Sequence, residues 1–435
     1  MHLWFETALL PEGWAANVRL GIADGRISSI DTAPPQAGDE RHAIAIPGLC
    51  NVHSHAFQRG MAGLAEGRGR PGDDFWQWRD VMYRFLERLD PDDIATIAAL
   101  AYAEMLESGF TRVGEFHYLH NDIDGHRYAD PAETAGSIVA AAGESGIGLT
   151  LLPVFYAHGD FGGAPATEGQ HRFMSDVDGF ARLFEASRAK LPEDANIGIA
   201  PHSLRAVTPE ELVAILPLAG DGPIHIHASE QVREVEACVA WSGQRPVDWL
   251  LDHAPVNSCW CVVHATHVTD PESDGLSRSG AVVGLCPSTE ANLGDGIFPA
   301  ARHEGAFGIG TDSNILIDAA GELRSIEYVQ RLHHRRRMLV PRLFHRALDG
   351  GARALGQASG LRIGGPADIF SLDACHPALA ARERDMLLDS WIFATRADAI
   401  DCVWRGGRKY VEGGRHMHRA DIAGRYRRTL AKILT

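Results

Sequence analysis

Between about residue 47 and residue 360, short apolar runs alternate with longer stretches of helical period, and this alternation restricts the chain to an α/β fold built on a parallel sheet. Eight runs read as strands: Ala45–Val52, Thr111–Phe116, Gly148–Phe155, Asn196–Ala200, Pro223–His227, Cys259–His264, Ala281–Cys286 and Ala306–Gly310. The stretches between them carry helix punctuation. Asp90-Pro91 offers a side-chain cap and a first-turn proline, Ile94, Ile97, Ala101 and Met105 recur at helical spacing, and Gly109 ends the element. Thr208-Pro209-Glu210-Glu211 is a capping box with proline at the first helical position, ahead of Leu212, Val213 and Leu216. Eight such repeats predict a (β/α)8 barrel of the TIM type with long insertions, covering residues 47–362.

The flanks read differently. Short strands and turns occupy residues 1–46 (Asn17–Ile22, Gly25-Arg26, Ile27–Ile30), and the same holds beyond residue 363 (Ala367–Leu372, Ala399–Arg405, Gly406-Gly407, Lys409–Val411). If the two ends meet, residues 1–46 and 363–435 form one small β-sandwich-like domain beside the barrel, with no independent linker. The loop Gly67–Asp74 is rich in Gly, Arg and Asp and leads into Phe75-Trp76-Gln77-Trp78-Arg79. Its composition suits a mobile segment over the barrel mouth or an ordinary solvated loop.

Charge and cysteine usage narrow the partners. A formal net charge of −16 makes the global field repel nucleic acid and anionic membrane, so an anionic substrate needs a local cluster of Arg or His. Seven cysteines, odd in number and scattered, indicate a reducing cytoplasm, and Cys259-Trp-Cys261 reads as strand packing rather than a thiolate site. The start, MHLWFETALLPEGW, has no basic leader and interrupts its apolar residues with Glu6 and Pro11, unlike a secretory signal. No apolar run approaches the ~18 residues of a membrane span. The unusual count is 22 histidines.

In a barrel of this type the chemistry gathers at the C-terminal ends of the strands. His53-Ser-His55 closes the first strand, and side-chain alternation turns both imidazoles to one side, half of a zinc site. The fifth strand ends in His225-Ile-His227-Ala-Ser-Glu230. His227 is favoured over His225 as a metal ligand because it lies nearer the strand end, where Glu230 can reach over the metal. The sixth strand ends at His264, and the eighth runs into Asp312. Each has a bland alternative: core packing for a histidine, a helix cap for Glu230 or Asp312. Convergence of all of them on one mouth favours a shared site.

The ordered set His53-x-His55, His227 with Glu230, His264 and Asp312, in a barrel flanked by a two-ended β domain, resembles the amidohydrolase superfamily, and within it the mononuclear-zinc deaminases. No lysine stands at the end of the fourth strand, Pro201-His202-Ser203-Leu204-Arg205, so a carboxylated-lysine bridge between two metals has no candidate. A finer resemblance, to the formimidoylglutamate deiminases of bacterial histidine degradation, rests on Pro47-Gly-Leu-Cys-Asn-Val-His53-Ser-His55-Ala-Phe-Gln58-Arg59-Gly60, Asp74-Phe-Trp76-Gln-Trp78-Arg79, Glu115-Phe-His117-Tyr118, His202-Ser-Leu-Arg205 and His225-Ile-His227-Ala-Ser-Glu230-Gln231.

That resemblance implies hydrolysis of N-formimino-L-glutamate to N-formyl-L-glutamate and ammonia. A substrate with two carboxylates and a formamidinium needs cationic clamps at one end and an electrophile-activating metal at the other. Arg205 and Arg79 are expected to grip the carboxylates, with Gln58, Tyr118 and His202 as hydrogen-bond partners. One Zn2+ per chain, or Fe2+ or Mn2+, would be held by His53, His55, His227 and Asp312. Asp312 would take the proton of the attacking water, Glu230 would carry a proton to the departing nitrogen, and His264 would orient or polarise the attacking oxygen. The competing expectations are a deaminase of the same branch acting on a purine or pyrimidine amine, a C–N amide hydrolase, and a catalytically silent binding protein. The expected partner is a small anionic amino-acid derivative, with no nucleic acid and no membrane, and a homodimer is compatible with the sequence.

Overall fold

The computed structural model describes residues 1–66 and 75–435, so the Gly67–Asp74 loop lies outside the described residues. The chain opens with β1 (His2–Leu10), β2 (Gly13–Ala23), β3 (Arg26–Thr32) and β4 (Glu40–Pro47). The first three form an antiparallel meander, and β4 runs parallel to β1 on its other edge.

Nine strands follow: β5 (Leu49–Ser54), β6 (Phe110–His117), β7 (Gly148–Phe155), β8 (Asn196–Ile197), β9 (Ala200–Pro201), β10 (Ile224–Ala228), β11 (Trp260–His264), β12 (Val282–Leu285) and β13 (Ala306–Ile309). They pair in parallel in the order β10-β11-β12-β13-β5-β6-β7-β8, and β9 pairs with β7. Parallel bridges Ile199–Ile224 and Ser203–His227 join the segment around β8 and β9 to β10, at the other end of that row. Most of these strands are buried on both faces, which explains their near-continuous apolar sequences.

The chain then returns to the first sheet through β14 (Ile369–Leu372), β15 (Ile400–Arg405), β16 (Arg408–Glu412) and β17 (Arg415–His416), in the order β17-β16-β15-β14-β4-β1-β2-β3. The fold is therefore mixed α/β, with a parallel sheet and a second sheet built from both ends of the chain. Among the described residues no helix is long and apolar enough to cross a membrane.

Two of the predicted strands are interrupted, each at a glycine. The run Ala45–Val52 divides at Gly48: Ala45, Ile46 and Pro47 pair with β14, whereas Leu49 onward pairs with β6. A Cβ at Gly48 would lie 2.4 Å from the Thr111 side chain, so the crossing between sheets leaves no room for one. The run Asn196–Ala200 divides at Gly198, where a Cβ would meet the Pro223 carbonyl at 2.0 Å. The helices read from sequence hold: Asp90 caps Pro91–Glu107 and Thr208 caps Pro209–Ile215, each in a capping box. The tail read as β-rich also carries the helices Asp385–Ala394 and Arg419–Leu434. The second of these packs on Pro91–Glu107, and Lys432 Nζ contacts both Asp90 and Asp93 of that helix's capping box.

Candidate active site

The ends of β5, β10, β11 and β13 deliver their polar side chains to one point. His53 and His55 leave β5, His227 leaves β10, and one ring nitrogen from each lies within 4.8 Å of the others. Asp312, just past β13, places Oδ1 3.4 Å from His53 Nε2 and 3.3 Å from His55 Nε2. His225 turns away, with its Nε2 against Ala354 O at 2.8 Å, outside this cluster.

Hydrogen bonds to the outer nitrogens fix the tautomers. His55 Nδ1 faces Phe116 O at 2.9 Å and His227 Nδ1 faces His202 O at 3.0 Å. A carbonyl only accepts, so both Nδ1 atoms carry the proton and both Nε2 atoms present lone pairs inward. Burial depresses the pKa of all three imidazoles, that of His53 to about 3, and keeps them in the neutral, ligating form. Burial opposes charge on Asp312, yet the His53, His55 and His264 rings around it hold its carboxyl well below the usual carboxylate range. The bare His55 Nε2 thus faces a carboxylate oxygen, acceptor against acceptor, in a buried place. Three neutral imidazoles and one carboxylate in this relation fit a divalent cation.

The backbone that carries these groups is strained and tied down. Ser229, His264, Ala265, Asp312 and Asn314 all have φ between +46° and +65°, a region that L residues with a Cβ rarely adopt. Reciprocal bonds join the segments: His55 N–H donates to Asp312 O and Asp312 N–H to His53 O, both at 2.9 Å. Asn314 Nδ2 donates to Ser54 Oγ, His55 O and Asp312 O, and Thr311 Oγ1 bridges Asn51 and Asn314. Glu115 at the end of β6 accepts from Ala56 N–H at 2.7 Å, and burial pushes its carboxyl up to about 8.

His264 sits between carboxylates. Its Nδ1 is 3.3 Å from Glu290 Oε1, and its Nε2 is 3.6 Å from Glu230 Oε1 and 3.9 Å from Asp312 Oδ2. Burial alone would favour the neutral ring, but Glu230, Glu290 and Asp312 together push its pKa up to about 10. Burial also raises Glu230 above the usual carboxylate range, so that group can hold a proton near neutral pH.

These groups open on one cavity. All five residues expected to bind substrate line it. Gln58 Nε2 donates to Tyr118 OH at 2.9 Å, and His202 packs its ring on Tyr156 and His227. Arg79 lies over the Tyr83 ring at 5.6 Å, and Arg205 Nε is buried with no hydrogen-bond partner among the described residues.

Sequence reasoning missed Tyr156, which directly follows the end of β7 and lines the same cavity, and Glu290, which follows β12. The signal is available at Tyr156, which stands directly beyond a strand end, whereas Glu290 lies inside the helix Pro287–Leu293. Asp295 lies within 4.8 Å of Glu230 and His264, yet it comes after a whole further helix, Pro287–Leu293, and no pattern in the sequence marks it.

Comparison with known proteins agrees with this architecture. Residues 44–409 match the Amidohydrolase family, and residues 3–43 match the N-terminal domain of formimidoylglutamate deiminase HutF. Among curated relatives, formimidoylglutamate deiminase of Pseudomonas aeruginosa is 48% identical over 99% of both chains. Among solved structures, an amidohydrolase from Brucella melitensis superposes with a TM-score of 0.97 at 50% identity, covering 100% of each chain. An adenosine deaminase from Xanthomonas campestris, solved with bound zinc, shares the fold with a TM-score of 0.82 at 22% identity, covering 100% of this chain and 98% of that one. Matched along nearly its whole length by family, relative and structure, this chain belongs to the amidohydrolase family.

Proposed function

We propose that this chain is a metal-dependent deiminase that hydrolyses N-formimino-L-glutamate to N-formyl-L-glutamate and ammonia. The observation that carries the reading is that one cavity holds both the His53–His55–His227–Asp312 cluster and the guanidinium groups of Arg79 and Arg205. A flat, neutral nucleobase needs no such pair of cations, whereas a dicarboxylate does.

His53, His55, His227 and Asp312 hold one divalent ion, zinc foremost, although iron and manganese accept the same donors. Bound there, the ion supplies Lewis acidity, which acidifies water and polarises the carbon under attack. The remaining steps belong to the protein. Arg205 and Arg79 clamp the two substrate carboxylates, while Gln58, Tyr118 and His202 hydrogen-bond the chain between them. Asp312 takes a proton from the attacking water as its oxygen bonds to the formimino carbon. His264, held on both sides by Glu290 and Glu230, orients that oxygen. Glu230 delivers a proton to the nitrogen that departs as ammonia when its bond to carbon breaks.

The reading includes a closed (β/α)8 barrel over residues 47–362, supported by the Ile199–Ile224 and Ser203–His227 bridges, with residues 1–46 and 363–435 as a composite β domain. Seven cysteines, none in a disulfide, support a reducing cytoplasm.

The test is to incubate the purified protein with N-formimino-L-glutamate and with a panel of purine and pyrimidine amines, following ammonia before and after chelation. Ammonia and formylglutamate in equal amounts, abolished by chelation and restored by zinc, are expected. Release of free glutamate, or ammonia from the ring amines alone, would overturn the reading.

A further inference from the structure

Asp295 has no role in the steps above, yet it is buried beside the proposed proton carrier. It follows the left-handed cap Gly294 of the helix Pro287–Leu293, and its N–H donates to Glu290 O at 2.9 Å. Its Oδ1 accepts from Gln231 Nε2, while its Oδ2 is buried without a hydrogen-bond partner among the described residues. Carboxylate oxygens of Asp295 and Glu230 and a ring nitrogen of His264 all lie within 4.8 Å of one another, and all three residues are buried. No hydrogen bond reaches the Glu230 carboxyl from any described residue; His264 Nε2 stands 3.6 Å from its Oε1.

Two desolvated carboxylates within 4.8 Å of each other repel when both are charged, and a proton on one of them removes that repulsion. A single proton between them replaces repulsion with a strong, charge-assisted hydrogen bond. Asp295 is the fixed member of the pair, anchored by its own backbone bond and by Gln231. Glu230 is the member without an anchor of its own.

We propose that Asp295 is a positioning residue for Glu230: a proton shared between their carboxyl groups holds the Glu230 side chain beside His264 and facing the cavity. The inference rests on the reading of Glu230 as the proton carrier. Burial, and after it the Glu230 charge, push the Asp295 carboxyl well above the usual carboxylate range, in keeping with a proton resident in the pair.

The experiment is a kinetic cycle: Asp295→Ala and Asp295→Asn, each in the parent and in a Glu230→Gln background, with metal content and melting temperature measured alongside. Asp295→Ala should lower kcat by about 10- to 100-fold, with KM within about threefold and metal content unchanged, because a small misplacement of a proton donor acts on the chemical step. Asp295→Asn should recover kcat to within about fivefold of the parent, since its amide can donate an N–H to Glu230 where the shared proton stood. In the Glu230→Gln background Asp295→Ala should change kcat by less than about twofold, as no carboxyl remains to be positioned. The inference fails if Asp295→Ala leaves kcat within twofold of the parent, or if its effect multiplies undiminished onto Glu230→Gln. Should Asp295→Ala fail to fold, Asp295→Leu, of similar volume and without a polar atom, replaces it under the same expectations. Full activity of Glu230→Gln alone would remove the proton-carrier role itself, and this inference with it.

Discussion

His227 Nε2 lies 3.1 Å from His53 Nε2, although 174 positions separate the two residues along the chain. His227 has spent its one ring proton on the His202 carbonyl, so its inner nitrogen offers only a lone pair. His55 is in the same condition on the other side of the cluster, where it faces Asp312. Lone pairs and a carboxylate crowded into a dry space are stable together when a cation stands among them.

Removing the ion should therefore affect stability as well as activity. A ligand present at about 1,000 times its Kd stabilises the folded state by about 4 kcal/mol, so stripping it by chelation should lower the melting temperature by several degrees. Zinc should restore both the melting temperature and ammonia release. His227→Ala should retain less than about a tenth of the parent's metal by elemental analysis. A stripped protein that melts at the parent's temperature would argue against any ion at this cluster.

Asn314 should matter for the metal although it lies outside the cluster. Its amide holds Ser54, His55 and Asp312 together, and its own φ of +54° is one that Asn tolerates better than Ala. Asn314→Ala removes three buried bonds at once, and a loss of about 2–4 kcal/mol in unfolding free energy is expected. Metal affinity should fall by about 10- to 100-fold, the usual cost of losing groups that orient the ligands. Urea unfolding and competition with a chromophoric chelator read the two effects separately.

Most of the cluster is legible because it sits at strand ends, where a period of two and a sharp end to the apolar run show which side chains reach the mouth. His53, His55, His227, His264 and Asp312 all fall within three residues of the end of a strand. The limits of the reading are physical too. Gly48 looks like part of one continuous strand until the tight approach of Thr111 reveals a crossing between two sheets. His225 and His227 share one face of β10; nearness to the strand end favours His227, but the Ala354 carbonyl that takes up His225, 129 positions away, has no sign in the local sequence. Asp295 is brought to Glu230 by a loop that follows an intervening helix, and no periodicity encodes such a contact.

Glu322 gives a pH dependence that is independent of the metal cluster. Its carboxyl is buried against Ser288, which donates its N–H at 2.9 Å and its hydroxyl, and burial pushes it up to about 8 from an ordinary 4.5. The folded state therefore binds this proton more tightly than the unfolded state. Its stabilising contribution is complete below pH 4.5 and is lost as pH rises toward 8. Glu322→Gln imitates the protonated acid, since its amide can donate to the Ser288 hydroxyl. The variant should flatten the fall of unfolding free energy between pH 5 and 8 that chemical denaturation reads, and Glu115, also raised to about 8, should leave a residual slope. A slope unchanged by the substitution would mean that Glu322 stays ionised in the fold.

Arg205 gives the sharpest test of the substrate class. It leaves the segment that follows β9, its Nε has no hydrogen-bond partner among the described residues, and it lines the cavity with Arg79. A guanidinium held ready in this way suits bidentate capture of a carboxylate, and truncating one partner of a buried charge pair costs about 2–5 kcal/mol. Arg205→Ala should lower kcat/KM for N-formimino-L-glutamate by about 30-fold or more, chiefly through KM, because the lost contact lies away from the bond that breaks. Arg205→Lys should recover little, as an ammonium cannot reproduce the fork. The decisive comparison uses formimino compounds that lack one or the other carboxylate. If Arg205 clamps a particular carboxylate, the analogue missing that group should react equally slowly with parent and variant, while the analogue missing the other should still distinguish them. Equal discrimination against both analogues would place the clamp on some other side chain of the cavity.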